Sequence, residues 1–162
     1  MNGDAKEALI SYRMERASES VEAARLMLDN GMLTSAMNRV YYAMFYAVQS
    51  VLITKDASFS KHGQVKGYFN KEFVHKGLFS VSLGKTYNKA FEYRQKFDYA
   101  DFEVPTAVMV GEFVQHAEDF IREVKLFLDS QKNDTAWARY SAMRKKQCGA
   151  LKIRRNHEIY MV

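Results

Sequence analysis

Three short stretches hold the side chains of this sequence whose types and spacing suggest chemistry. Arg94 stands four residues before Asp98 and five before Tyr99, His62 follows Ser60-Lys61, and Asn38-Arg39 leads into the aromatics Tyr41, Tyr42, Phe45 and Tyr46. On a helix, residues i and i+4 share a face, so Arg94 and Asp98 can form an ion pair that satisfies the guanidinium where it enters an apolar stripe. Turned toward a cleft, the same guanidinium can grip a phosphate through two parallel N–H bonds, with Tyr99 offering a ring or a hydroxyl beside it. Spacing alone does not choose between these readings.

The familiar catalytic signatures do not occur. There is no glycine loop of nucleotide-cradling pattern, no Ser/His/Asp arrangement and no H-x-x-x-H pair, so neither a cofactor nor a metal site is expected. His116 shares a helix face with Glu112, Asp119 and Glu123, which reads as a solvated charged strip, and His75 and His157 have no partner motif. A lone cysteine, Cys148, forms no intramolecular disulfide, which points to a reducing, cytoplasmic setting. The first residues carry early acidic charge and no apolar core of a signal peptide, and the most apolar run, Val40 to Ile53, is too short to span a bilayer.

Helices must position these residues, because one proline and 8 glycines among 162 residues leave little material for the turns of a β fold. Ile10, Met14, Ala17, Val21, Ala24 and Leu28 form one stripe of a first helix that ends at Asn30-Gly31. A second helix from about Thr34 to Thr54 is apolar nearly all round and belongs at the centre. A third is expected to start with Ser60 as its cap and to stop at Lys76-Gly77. A fourth, capped by Ser82, places Leu83, Tyr87, Ala90 and Arg94 on one stripe. Pro105 suits the first turn of a fifth, which carries Val110, Phe113, Val114, Ala117, Phe120, Ile121, Val124 and Leu128. Short connections favour antiparallel neighbours, so the fold class is all-α, an up-and-down antiparallel bundle of about five helices over residues 1–130. Successive reversals would bring His62, at the start of the third helix, to the same end as Arg94 to Tyr99.

The net charge of +5 is unevenly spread. Up to Ser130 there are 16 basic and 17 acidic residues, whereas from Gln131 onward there are 8 basic and 2 acidic. Residues 131–162 therefore read as a basic C-terminal extension, helical near Trp137 to Cys148. Its Trp137, Arg139, Tyr140, Arg144, Lys145, Lys146, Lys152, Arg154 and Arg155 suit RNA, and equally an acidic protein or no partner.

The stretch Ala36-Met37-Asn38-Arg39-Val40-Tyr41-Tyr42-Ala43-Met44-Phe45-Tyr46-Ala47, then Ser60-Lys61-His62, then Arg94-Gln95-Lys96-Phe97-Asp98-Tyr99 resembles the HEPN (higher eukaryotes and prokaryotes nucleotide-binding) family. It is similar in particular to the prokaryotic branch marked by a Y-Y-A helix and an R-x-x-x-D-Y ending, over about residues 5 to 128. The resemblance implies a helical bundle that homodimerises and is encoded beside a minimal nucleotidyltransferase in a toxin–antitoxin or defence pair. Nucleotide or RNA binding is expected at the Arg94 end, with Arg94, Tyr99, Arg39 and Asn38 as candidates, although Asn38 and Arg39 equally suit a protein partner or simply the start of the second helix. Ribonucleases of the family carry Arg, four to six residues of any type, then His. Arg94 matches that arginine, but Asp98 or Tyr99 stands where the histidine belongs.

Cleavage of RNA through its 2′-OH requires a group of near-neutral pKa to move protons, which an ionised aspartate is not. The enzyme reading therefore assigns phosphate binding to Arg94 and proton transfer to His62 or Asp98, while the non-enzyme reading leaves an interaction module or a nucleotide site without chemistry. In some members a tyrosine just after the missing histidine is modified with nucleotides by the partner enzyme, and Tyr99 is the nearest counterpart.

Overall fold

The computed structural model describes residues 3–99 and 103–157, with side chains described at 3–99, 103–134 and 138. Its elements are α1 (Gly3–Asp29), α2 (Leu33–Ile53), α3 (His62–Phe69) continued by a π-helical turn (Asn70–Val74), α4 (Val81–Tyr99) and α5 (Ala107–His157). Among the described residues there is no strand, and the expected all-α bundle of five helices forms. Two compact units divide the chain, the first ending at Lys125 and the second beginning at Leu126. α5 belongs to both and passes through residue 130 without a break, so the extension is helical as far as His157 and well beyond the stretch expected. The side chains of Trp137, Arg139, Tyr140, Arg144, Lys145, Lys146, Lys152, Arg154 and Arg155 lie outside the described residues.

Within the first unit α2 is the axis, as its all-round apolar surface requires. Met37, Val40, Tyr41, Met44, Val48, Val51 and Leu52 are buried on successive faces. α1 packs antiparallel on it, with Lys6 beside Asp56 just past the end of α2, and Ser50 donating to the Met14 sulfur. α4 is antiparallel too: Asn38, early in α2, meets Asp98 late in α4, and Tyr41 meets Phe91 and Tyr87. The opening of α5 runs against α4 through Tyr93–Phe113 and Tyr87–Phe120, and against α1 through an Arg25–Glu118 ion pair.

α3 takes a route that simple alternation does not foresee. Instead of descending from the end of α2, the connection 54–61 folds back beside it. The His62 ring therefore lies 4.4 Å from that of Phe45, eight residues before the end of α2, or roughly 12 Å down the helix. α3 then rises alongside α2, and α4 descends against both. His62 and Arg94 do share one region as expected, but beside the first half of α2 rather than at its C-terminal end.

The helix ends also differ in detail from expectation. α3 has Lys61, not Ser60, at its N-cap and no side-chain cap bond. Ser80 Oγ, not Ser82, accepts the Leu83 N–H at the start of α4 (3.1 Å), and Thr106 Oγ1 accepts from Met109 N–H, so Pro105 lies just outside α5 rather than in its first turn. Gly31 and Gly77 have φ of 72° and 75°, the left-handed turns that release the chain after α1 and after the π-helical turn.

Gly84 explains how closely α4 approaches that π-helical turn. A Cβ there would meet Val74 Cγ1 at 3.0 Å and Asn70 Oδ1 at 3.1 Å, and Asn70 Nδ2 bridges the same contact to Asn88 Oδ1 at 2.8 Å. At Gly67, in α3, a Cβ would meet nothing within 4 Å. Gly67→Ala should therefore gain stability by about 0.5–1 kcal/mol from helix propensity. Gly84→Ala should lose about 1 kcal/mol net, because overpacking a buried, β-branched neighbour outweighs the same gain. Urea unfolding of both variants checks this, and equal gains would mean that Val74 yields freely.

Candidate functional site

The chemistry-bearing residues gather where the start of α2 meets the end of α4. Asp98 Oδ2 accepts from Asn38 Nδ2 at 3.0 Å and lies 3.6 Å from Arg94 Nε. Asn38 Oδ1 in turn accepts from an Arg39 terminal nitrogen at 3.0 Å. The i,i+4 pair of Arg94 and Asp98 is thus present, but Asp98 is shared with the neighbouring helix, and the order Arg39–Asn38–Asp98–Arg94 forms one chain of polar contacts across two helices.

Arg94 is held largely by aromatic faces. Its guanidinium carbon lies 5.3 Å from the centre of the Tyr41 ring and 5.6 Å from that of Tyr42, and Arg39 stands over Tyr42 at 4.8 Å. Ring faces attract cations without consuming N–H donors. The Arg94 side chain keeps 16% of its surface exposed, while its Nε is buried with no hydrogen-bond partner. A buried guanidinium N–H without a hydrogen bond is costly, and the Asp98 carboxylate at 3.6 Å offsets that cost only in part. The sequence places Tyr41 and Tyr42 in the central second helix; the signal of their role is their place one helical turn after Asn38 and Arg39.

His62 joins the group from α3. Its Nδ1 lies 2.8 Å from the Tyr41 hydroxyl, and its ring packs on Phe45 and edge-on to Tyr42. Burial pushes the Tyr41 phenol well above its ordinary range, so its proton stays and can be donated to Nδ1, which leaves the imidazole proton on Nε2. Partial burial, and then the positive charge of Arg94, push the His62 pKa down, so the ring is neutral at pH 7.

Beside the cluster opens a shallow cleft of about 410 Å³, lined by Met27, Thr34, Ser35, Asn38, Arg39 and Asp98. Thr34 and Ser35 belong to the first turn of α2, whose N-cap residue Met32 supplies no side-chain acceptor for the free N–H groups. That helix end favours negative charge. With Arg39 and Arg94 cationic, Asp98 anionic and His62 neutral, the cluster carries one surplus positive charge and suits an anion. Tyr99 closes α4 with 76% of its surface exposed, an accessible position outside this packed group.

A family model described as the HEPN domain matches residues 10–127, a span that contains every residue of the cluster. A UPF0332 protein of Thermotoga maritima is 40% identical over 127 residues, 78% of this chain and 96% of its own. Two proteins of Methanocaldococcus jannaschii, each named "Putative toxin", are also similar. One is 33% identical over 119 residues, 73% of this chain and 80% of its own, and the other 31% over 125 residues, 77% and 92%.

The His62 environment has a signed consequence. Because the folded chain binds this proton less readily than the unfolded chain, the contribution is intact above the ordinary value of about 6.5 and is lost as pH falls through that value toward the lowered one. Thermal midpoints should therefore fall more steeply between about pH 6.5 and 5 in the native protein than in His62→Gln. NMR titration should place the His62 midpoint below the ordinary value, and Arg94→Gln should move it upward. An unchanged midpoint would remove Arg94 as a cause.

Proposed function

The chain belongs to the HEPN domain family, and from that membership we propose that it is a toxin-like HEPN module that binds a phosphate of RNA or a nucleotide at Arg94. In this reading it homodimerises and acts in the cytoplasm, in a toxin–antitoxin or related defence pair whose other member is a minimal nucleotidyltransferase. The names of two relatives support the toxin-like part, and the partner follows from the family resemblance of the Y-Y-A and R-x-x-x-D-Y stretches. The single observation that supports the phosphate site is Arg94, whose Nε forms no hydrogen bond and meets Asp98 only at 3.6 Å, at the end of the Arg39–Asn38–Asp98 chain that lines a cleft at the start of α2.

The parts divide as their chemistry dictates. Arg94 and Arg39 meet phosphate oxygens, Asn38 and Asp98 hold the two guanidinium groups in register, and the hydroxyls of Thr34 and Ser35 donate to the same anion. Tyr99 is the proposed acceptor of nucleotide transfer from the partner enzyme, since its exposure gives that enzyme access.

One observation favours a second, enzymatic reading. His62, neutral at pH 7 and electrostatically coupled to Arg94, is an imidazole of the kind that RNA cleavage needs although it comes from another helix. Asp98 is less suited, because its carboxylate already accepts from Asn38 and lies against Arg94.

Fluorescence anisotropy with labelled single-stranded RNA tests the site. Arg94→Ala should weaken binding about tenfold or more, as the loss of a charge-assisted contact requires, and Arg39→Ala by a smaller factor. Equal affinities for native protein and Arg94→Ala would exclude the site. The same RNA incubated with native protein in EDTA distinguishes the readings: cleavage abolished by His62→Gln supports the enzyme, and intact RNA at high protein concentration leaves the binding module. Co-expression with the nucleotidyltransferase should add one nucleotidyl mass that Tyr99→Phe prevents; an unchanged mass in the native chain would discard Tyr99 as acceptor.

A further inference from the structure

A second cavity, of about 250 Å³, lies between α1, the last turns of α2 and the returning segment 54–61, and it shares no residue with the Arg94 cluster. Leu52, Ile53, Phe59 and Val65 form apolar walls, and Arg13 and Gln49 supply the polar groups that bear on its chemistry. Gln49 Oε1 is buried and accepts no hydrogen bond. Arg13 stands near the Tyr12 and Tyr46 rings at 5.9 and 6.0 Å and, among the described residues, forms no ion pair. Asp56, also on the lining, is already matched: Lys6 Nζ donates to its Oδ1 at 2.9 Å and to the Thr54 carbonyl at 3.2 Å. That clamp fixes the returning segment, and with it the cavity's outer wall.

A buried amide oxygen without a donor is costly, and native structures usually account for one by a partner. Here the unmet groups are one acceptor and one cation, set among apolar side chains. We propose that this cavity is a binding site for a small carboxylate that carries an O–H or N–H donor beside an apolar or aromatic body. The carboxylate meets the Arg13 guanidinium, the donor reaches Gln49 Oε1, and the body fills the space bounded by Leu52, Ile53, Phe59 and Val65. A monoanion fits better than a phosphate, because a single guanidinium leaves a second negative charge uncompensated against apolar walls. The volume equals that of roughly eight waters and limits the ligand to about a dozen non-hydrogen atoms, for which millimolar or tighter binding is reasonable.

NMR titration of the full chain with phenyllactate, which has this pattern of groups, tests the proposal. Two comparators remove one group each: hydrocinnamate lacks the hydroxyl, and the corresponding alcohol lacks the carboxylate. Saturable shifts centred on Arg13, Gln49 and Phe59 are expected with phenyllactate, and about tenfold weaker binding with either comparator. Arg13→Gln, a change at a partly exposed position, should weaken phenyllactate about tenfold and leave the alcohol unaffected, whereas Gln49→Met should erase the preference for phenyllactate over hydrocinnamate. Arg94→Ala should change none of these values, which separates this site from the phosphate site. No saturable shift up to about 10 mM would mean that the cavity holds only water, and unaltered phenyllactate binding in Arg13→Gln would equally overturn the proposal.

Discussion

The placement of one guanidinium, that of Arg94 against the faces of Tyr41 and Tyr42, is the constraint around which the functional end of this bundle is organised. A cation on an apolar helix stripe is expensive unless it is compensated, and full compensation by carboxylates would leave it inert toward an anion. The structure takes an intermediate course. Two rings hold the charge through their quadrupoles, Asp98 approaches only to 3.6 Å, and Nε is left without an acceptor. The group is oriented but not saturated.

That arrangement requires α2 and α4 to be antiparallel with a fixed register. Asn38 donates to Asp98 across the two helices, so sliding either helix by one turn would separate Arg94 from its rings as well as from its carboxylate. Burial below the cluster holds the register: Tyr41 and Tyr87 stack with their ring planes 4° apart and are both fully buried. The missing side chain at Gly84 lets α4 lie close against the π-helical turn that follows α3. Packing remote from the cleft thus fixes where the guanidinium sits, and its charge adds to burial in pushing the His62 pKa down.

Much of this was legible in the sequence, and the rest was hidden for identifiable reasons. The 3.6-residue spacing of Val110, Phe113, Ala117, Phe120 and Val124 reported a buried face correctly, because amphipathic periodicity reflects burial directly. Arg94 and Asp98 were visible as an i,i+4 pair for a similarly local reason. Helix starts were displaced by a residue or two, since which hydroxyl reaches a free N–H depends on backbone path as well as residue type: the Ser80 hydroxyl does so, whereas Ser82 contributes its backbone carbonyl, which accepts from the Thr86 hydroxyl. The meeting of His62 with Arg94 was foreseen through simple alternation of direction, whereas the chain achieves it by folding 54–61 back along α2. No local pattern encodes that return, which depends on Lys6 from α1 engaging Asp56 and Thr54. The ring supports under Arg94 were equally hidden, because a tyrosine that fills a core and one that carries a cation look alike in sequence.

The most direct test observes the guanidinium itself. In the native chain the Arg94 Nε–H resonance, displaced by the ring currents of Tyr41 and Tyr42, should shift saturably when single-stranded oligouridylate is added, together with the side-chain signals of Asn38 and Arg39. An Arg94 resonance that stays in place while signals beyond residue 130 respond would contradict the account, because the phosphate would then be met elsewhere on the chain.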